Sequence, residues 1–217
     1  IAHEVWIVAP AQDRSGVSNS LSLREPVRII KRDIQKYAVY GTPADCIAFA
    51  LHQVMAETPP DLVLSGVNYG SNIGFETLLS GTVGAAMTGM LHGIPAIAMS
   101  QDKSSGNINW NTALTHAPDV IRKLLAVKWD DDVCLSINFP DIHHDVVKGI
   151  RVTTQGIGTV KGISVVPTND PEGENYYWVR IRHGEQDDPS HSEAAAIEDG
   201  YISITPLTYE RTSISCG

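Results

Sequence analysis

Apolar positions along this chain fall into short solid runs and longer periodic ones, and the two kinds alternate. Residues 5–9, 62–64, 94–99 and 133–137 are brief and almost wholly apolar, the signature of strands buried on both faces. Between them lie stretches with helical spacing. Ile47, Ala50, Leu51 and Val54 keep the i, i+3, i+4, i+7 rhythm. Val83, Met87, Met90 and Leu91 form one stripe, and Leu114, Ala117, Ile121, Leu124 and Leu125 form another over residues 111–127. Punctuation agrees with these assignments. Thr42-Pro43-Ala44-Asp45 supplies an N-cap, a proline at the first helical position and an acid in the first turn. Pro59-Pro60 stops that helix, and Gly93 stands where a helix C-cap glycine belongs. Residues 27–31 and 37–40 are short β-prone runs suited to pairing with each other. Strand, helix, strand, helix, strand predicts an α/β body: a parallel sheet with helices on its faces.

The rhythm changes after residue 148. Residues 149–154, 163–166 and 176–181 are β-prone and separated by Gly, Asn, Asp and Pro, which predicts antiparallel strands and a projecting hairpin. Tyr176, Tyr177 and Trp178 give that hairpin an aromatic face. A short helix over 194–199 and a last strand over 201–205 follow. The expected organisation is a body over 1–148 and a β-rich C-terminal arm over 149–217 serving oligomer contacts. No internal repeat or low-complexity tract interrupts either part.

Composition narrows the function classes. Over 217 residues, 42% are hydrophobic and 19% charged, enough to bury a sizeable core in a soluble globule. The formal net charge of −9 argues against a long nucleic-acid backbone as partner. A small phosphorylated ligand stays open, above all if a divalent cation accompanies it. No apolar run is long enough to span a membrane. Cys46, Cys134 and Cys216 are dispersed and form no CxxC, which fits a reducing cytoplasm. The chain starts at Ile1 and enters a strand almost at once, so a preceding segment is expected.

Candidate chemistry concentrates in three polar clusters. Ser15 to Ser20 follow the first strand, Ser65 to Asn72 follow the second, and Ser80-Gly81-Thr82 opens the next helix. Each alone reads as a solvated loop, since Ser, Gly and Asn are loop residues. In an open parallel sheet all three would lie outside the strands' carboxyl ends, where ligands bind. A helix beginning on Ser-Gly-Thr offers unpaired N–H groups, a positive dipole end and close backbone approach, the physical requirements of a phosphate cradle. Ser80 as a nucleophile needs a base within reach. His92, on the same helix, is about 18 Å away at the helical rise, and no G-x-S-x-G is present. The eight histidines form no metal motif, and the adjacent His143 and His144 read as solvated. Asp130 to Asp132 precede a strand, at the wrong end for catalysis, and Asp187-Asp188-Pro189 reads as a turn.

The runs APAQDRSGVSNSLSLREPVR, GTPADC, PDLVLSGVNYGSNIG and LLSGTVGAAMTGMLHGIPAIAMS together resemble the SurE (survival protein E) nucleotidases. SINFP, GIRVTTQG, YYWV and DGYISITPL extend the resemblance through nearly the whole chain. It implies a Rossmann-like three-layer body and an arm that builds homodimers or homotetramers. The implied activity is metal-dependent hydrolysis of nucleoside 5′-monophosphates, with 3′-monophosphates as further substrates, using Mg²⁺ or Mn²⁺. Residue by residue it implies Ser15 and Asn68 as metal ligands, Ser80, Gly81 and Thr82 as phosphate ligands, and Asn19 and Asn72 as pocket residues. An aspartate pair on an opening strand, followed by a helix, would lie ahead of Ile1, so this chain is expected to lack both elements. Phe75-Glu76 departs from the pattern of a small residue and an aspartate, and residues 212–217 fall short of a helical tail. Neutral oxygens alone hold a hard cation poorly. A nucleotide- or phosphate-binding protein without turnover is therefore the alternative reading. A Rossmann domain for a sugar or a dinucleotide cofactor predicts a G-x-G-x-x-G after a strand, and the sequence has none in that context.

Overall fold

The computed structural model describes residues 1–103, 108–185 and 188–212. Asp187, Cys216 and the ending beyond residue 212 lie outside the described residues. In chain order the elements are β1 (Ile7–Pro10), β2 (Ile29–Asp33), β3 (Lys36–Val39), α1 (Pro43–Phe49), β4 (Val63–Tyr69), α2 (Glu76–Leu79), α3 (Gly81–Leu91), β5 (Ala96–Gln101) and α4 (Trp110–Leu125). Then come β6 (Cys134–Phe139), β7 (Ile150–Val152), β8 (Val160–Asn169), β9 (Asn175–His183), α5 (Glu193–Glu198) and β10 (Ile202–Leu207).

The local signals behave as their chemistry demands. Thr42 caps α1 by accepting the Asp45 N–H, and Asp45 returns the bond to Thr42 N–H, a complete capping box. The helix then loosens into a π turn over Ala50–Val54 before Pro59-Pro60. Strands β5 and β6 are buried at every position, as solid apolar runs require. Their alternation divides the core. Ala96, Ala98 and Cys134 pack with Val83, Ala86 and Met90 of α3 on one face. Ile97, Met99, Leu135, Ile137 and Phe139 pack with Ala113, Val120 and Ile121 of α4 on the other. Two helical layers with a sheet between them make the α/β body that the pattern predicts, Rossmann-like as the resemblance implies.

Strand pairing departs from a single parallel sheet. β4, β5 and β6 run parallel, β10 joins β6 antiparallel, and β7 pairs parallel with β10. The strands β1, β3 and β2 form a separate sheet, tied to the body by α1, which packs against both β1 and α3. Apolar Ile7 of edge strand β1 and Leu64 of edge strand β4 are 48% and 45% exposed. Because β7 and β10 belong to the main sheet, residues 150–152 and 202–207 sit in the body and not in the arm expected over 149–217. The projecting part is the β8–β9 ribbon alone. Leu91 and Leu114 lie off the packed faces of their helices and are exposed. Val83 and Met90 of the predicted α3 stripe are buried, and small residues join them, Gly84, Ala85, Ala86 and Gly89.

Candidate active site

The first part of the second polar cluster, as far as Tyr69, is strand and not loop. β4 runs on through Ser65, Gly66, Val67 and Asn68 to Tyr69, with a register shift against β5 between Ser65 and Asn68. Gly66 permits the bulge. Its φ is +120°, and a Cβ there would collide with the carbonyl oxygen of Met99. The bulge brings Asn68 to the amino end of α3, where its Oδ1 accepts from the Thr82 hydroxyl at 3.3 Å.

The first cluster folds onto the same helix end. Ser18 donates its hydroxyl to the Leu78 carbonyl at 2.6 Å and its N–H to the Leu79 carbonyl at 2.9 Å. A Cβ on Gly81 would stand 3.4 Å from Val17 and 3.5 Å from the Arg14 carbonyl oxygen. A Cβ on Gly84 would stand 2.5 Å from the Ser18 carbonyl oxygen and 2.9 Å from Asn19 Oδ1. Small residues on α3 are thus what let the Ser15–Ser20 loop settle there. Asn68, Ser80, Gly81 and Thr82 meet at the start of α3, and Ser18 and Asn19 lie over Gly84, while Ser15 in the same loop bonds Asp13.

Within that group the roles differ from a simple ring of ligands. Ser80 is the N-cap of α3, its hydroxyl accepting the Val83 N–H at 3.1 Å while its carbonyl takes the Gly84 N–H. The helix-start donors ahead of these are the N–H groups of Gly81 and Thr82. Asn72 is buried, donates its amide to Ser100 Oγ at 2.7 Å, and is held by Asn138 through its own backbone, so it braces the loop from below. Asn19 is exposed and borders a small cavity of about 70 Å³ with Thr77, Met87 and Gln155. Arg14 Nε is shielded from solvent with no hydrogen-bond partner among the described residues, an orphan donor in the loop that covers Gly81.

Charge at the site is sparse. Ser15 donates both O–H and N–H to Asp13, and these bonds hold the exposed Asp13 carboxyl below its usual range. Burial alone would raise the Asp45 carboxyl, but bonds from Thr42 and Ser22 outweigh it and lower the pKa. Glu76, one turn before Ser80, is pushed up by burial, opposed by His183 of β9 at 3.9 Å. As named, the donor set fits a resident divalent cation poorly, because Ser15 and Asn68 offer only neutral oxygens; the exposed Asp13 carboxylate takes both Ser15 bonds on Oδ1. His143, His144 and Asp145 do place ligand atoms within 4.8 Å of one another. That group follows β6 beside α4, where His116 meets the His144 carbonyl, away from α3.

Sequence reasoning missed the support of the lip between β4 and α3. Glu193, at the start of α5, is 1% exposed and accepts the Gly74 N–H at 2.7 Å and the Gly156 N–H at 2.6 Å. Gln155 donates to the Gly74 carbonyl and to Thr77 Oγ1, and Phe75 N–H reaches the Ile157 carbonyl. Asp188 accepts from Gly158, so this part of the expected turn is an anchor. A larger cavity of about 310 Å³, lined by Trp129, Asp130 and Asp131, opens at the amino ends of β5 and β6, remote from the site. Burial raises the thiols of Cys46 and Cys134 to about 12, which leaves them inert.

Comparison with known proteins gives concordant results. Residues 1–162 match the family model described as survival protein SurE. The chain is 51% identical over 213 residues to "5′-nucleotidase SurE 1" of Burkholderia lata, covering 98% of this chain and 82% of that protein. It is 44% identical over 215 residues to "5′-nucleotidase SurE" of Azorhizobium caulinodans, covering 98% and 84%. Among solved structures it resembles the SurE protein of Aquifex aeolicus with a TM-score of 0.80 and 36% identity, covering 96% of this chain and 84% of that one.

Proposed function

The chain belongs to the survival protein SurE family, and on that premise we propose that it is a 5′-nucleotidase, releasing phosphate from nucleoside 5′-monophosphates and also from 3′-monophosphates. The observation that carries this reading is the convergence of three polar segments on the amino end of α3: Arg14 and Val17 over Gly81, Ser18 and Asn19 over Gly84, and Asn68 on Thr82. An anionic phosphoryl group suits that place for three reasons. The Gly81 and Thr82 N–H groups precede the helix's own ladder, the macrodipole is positive there, and Arg14 Nε lacks an acceptor. Donors fixed before the reaction stabilise charge on the transferring phosphoryl without reorganising. The Thr82 hydroxyl joins them by giving up its long bond to Asn68.

The reading includes a divalent cation, Mg²⁺ or Mn²⁺, for which the neutral oxygens of this chain do not by themselves make a sufficient site. Ser15 and Asn68 are its proposed ligands from this chain. It also includes a cytoplasmic location, which the buried free thiols suit, and homodimers or homotetramers built through β8–β9. No helix among the described residues is long and apolar enough to cross a membrane.

The neutral donor set favours one other reading, a nucleotide-binding protein without turnover. One experiment separates the two: phosphate release from a panel of 5′- and 3′-monophosphates, with Mn²⁺, with Mg²⁺ and with a chelator, beside a binding isotherm for each nucleotide. Metal-dependent release supports the enzyme. Saturable binding with no release in any metal supports the alternative, and the absence of both removes the site.

A further inference from the structure

We propose that Tyr69, Trp110 and Lys103 form the subsite for the base of the nucleotide, an inference that rests on the reading of α3 as the phosphate cradle. Asn68 and Tyr69 are consecutive strand residues, so their side chains leave opposite faces of the sheet. Asn68 turns to Thr82 of α3. Tyr69 turns to Trp110 of α4, whose ring centre is 6.3 Å away and tilted by 45°. A ligand with its phosphate at α3 that continues across the end of β4 therefore arrives at these two rings. A nucleotide carries its parts in that order: phosphate, sugar, base.

The rings are built to receive something. They are 57% and 40% exposed, although the sheet edge around them is firmly tied. Gly70 N–H bonds the Gln101 carbonyl, and buried Gln101 donates to the carbonyls of Phe139 and Pro140 while accepting the Ala113 N–H of α4. Asn109 and Thr112 fasten the start of α4 to the Ile142 carbonyl. Order without burial leaves two large aromatic surfaces presented to solvent in a fixed relation. Their tilt keeps them from stacking face to face on each other and leaves ring surface of both open to solvent. The Lys103 stem lies over Gly70, and its ammonium stands 4.9 Å from the centre of the Tyr69 ring. Beside that ring it supplies a donor for sugar or base oxygens. Stacking on an aromatic ring accepts any base, because every base has a π-face.

The test compares nucleoside 5′-monophosphates with ribose 5-phosphate, which has no base, in the wild type, Tyr69→Ala, Tyr69→Phe and Trp110→Ala. Loss of one stacking ring is expected to lower the preference for nucleotide over ribose 5-phosphate about 10-fold, mainly through KM, and Tyr69→Phe restores it. An unchanged preference in both alanine variants overturns the subsite. Calorimetric titration with adenosine and guanosine reads the same contact without turnover. Should the protein release no phosphate from any substrate, nucleoside affinity that falls in Tyr69→Ala and returns in Tyr69→Phe still upholds the subsite. Equal nucleoside affinity in all variants refutes it. Thermal melts of each variant exclude unfolding as the cause.

Discussion

Glu193 pays for two loops at once, with one oxygen on the Gly74 N–H and the other on the Gly156 N–H. Burial raises its pKa above 4.5, and the backbone bonds it accepts only partly offset this. The folded state thus holds this proton more tightly than the unfolded state. Its contribution to stability is full below 4.5 and is lost as pH rises through the folded value. The stability of the wild type minus that of Glu193→Gln is expected to be largest at about pH 4 and to shrink toward neutrality, as urea melts across pH will record. Glu193→Ala strands two backbone donors and is expected to cost about 3 kcal/mol at neutral pH. A variant as stable as the wild type would refute the clamp. Nothing local announces this residue, whose partner Gly74 lies 119 positions away. That Asn68 and Ser80 would meet at one helix start was legible because hydroxyl and amide side chains after predicted strands are informative by type and place.

Among the elements, β4 decides where the chemistry can happen. Its Gly- and Asn-rich half reads as a loop, yet it pairs with β5 as far as Tyr69 by means of one bulge. Composition cannot reveal that, because the bulge depends on the Met99 carbonyl of a neighbouring strand. Gly66→Ala combines a positive φ with that collision, so it is expected to destabilise the fold by about 3 kcal/mol. Phosphate affinity should fall with it, as the end of β4 shifts against the start of α3. Equilibrium denaturation and phosphate titration measure the two effects separately. The helix starts were more transparent. Thr42 and Ser80 act through bonds three residues long, and such short-range capping is the kind of interaction a linear pattern carries.

For the whole molecule, the alternation of strands and helices was enough to give the layers, while the partners of β7 and β10 had to be seen. Whether a strand joins the main sheet or a ribbon depends on contacts across 50 residues or more, such as Thr153 with Thr205. The ribbon itself poses a physical problem. Tyr177, Trp178 and Val179 are 62%, 62% and 70% exposed on consecutive positions, so both faces of β9 show apolar surface. A two-stranded ribbon is marginal alone and gains its stability by packing. The expected wild-type species is a dimer or tetramer by light scattering, and Trp178→Glu with Val179→Glu should yield monomers. A monomeric wild type would defeat that assignment. The root of this ribbon has a mechanical consequence. Phe75 hangs from the Ile157 carbonyl, and Gln155 grips Gly74 and Thr77. The root of the lever and the rim between β4 and α3 are therefore bonded directly together. Anchoring the lever in a neighbour would steady the rim, and diluting the copies apart would let it waver, making specific activity a function of protein concentration.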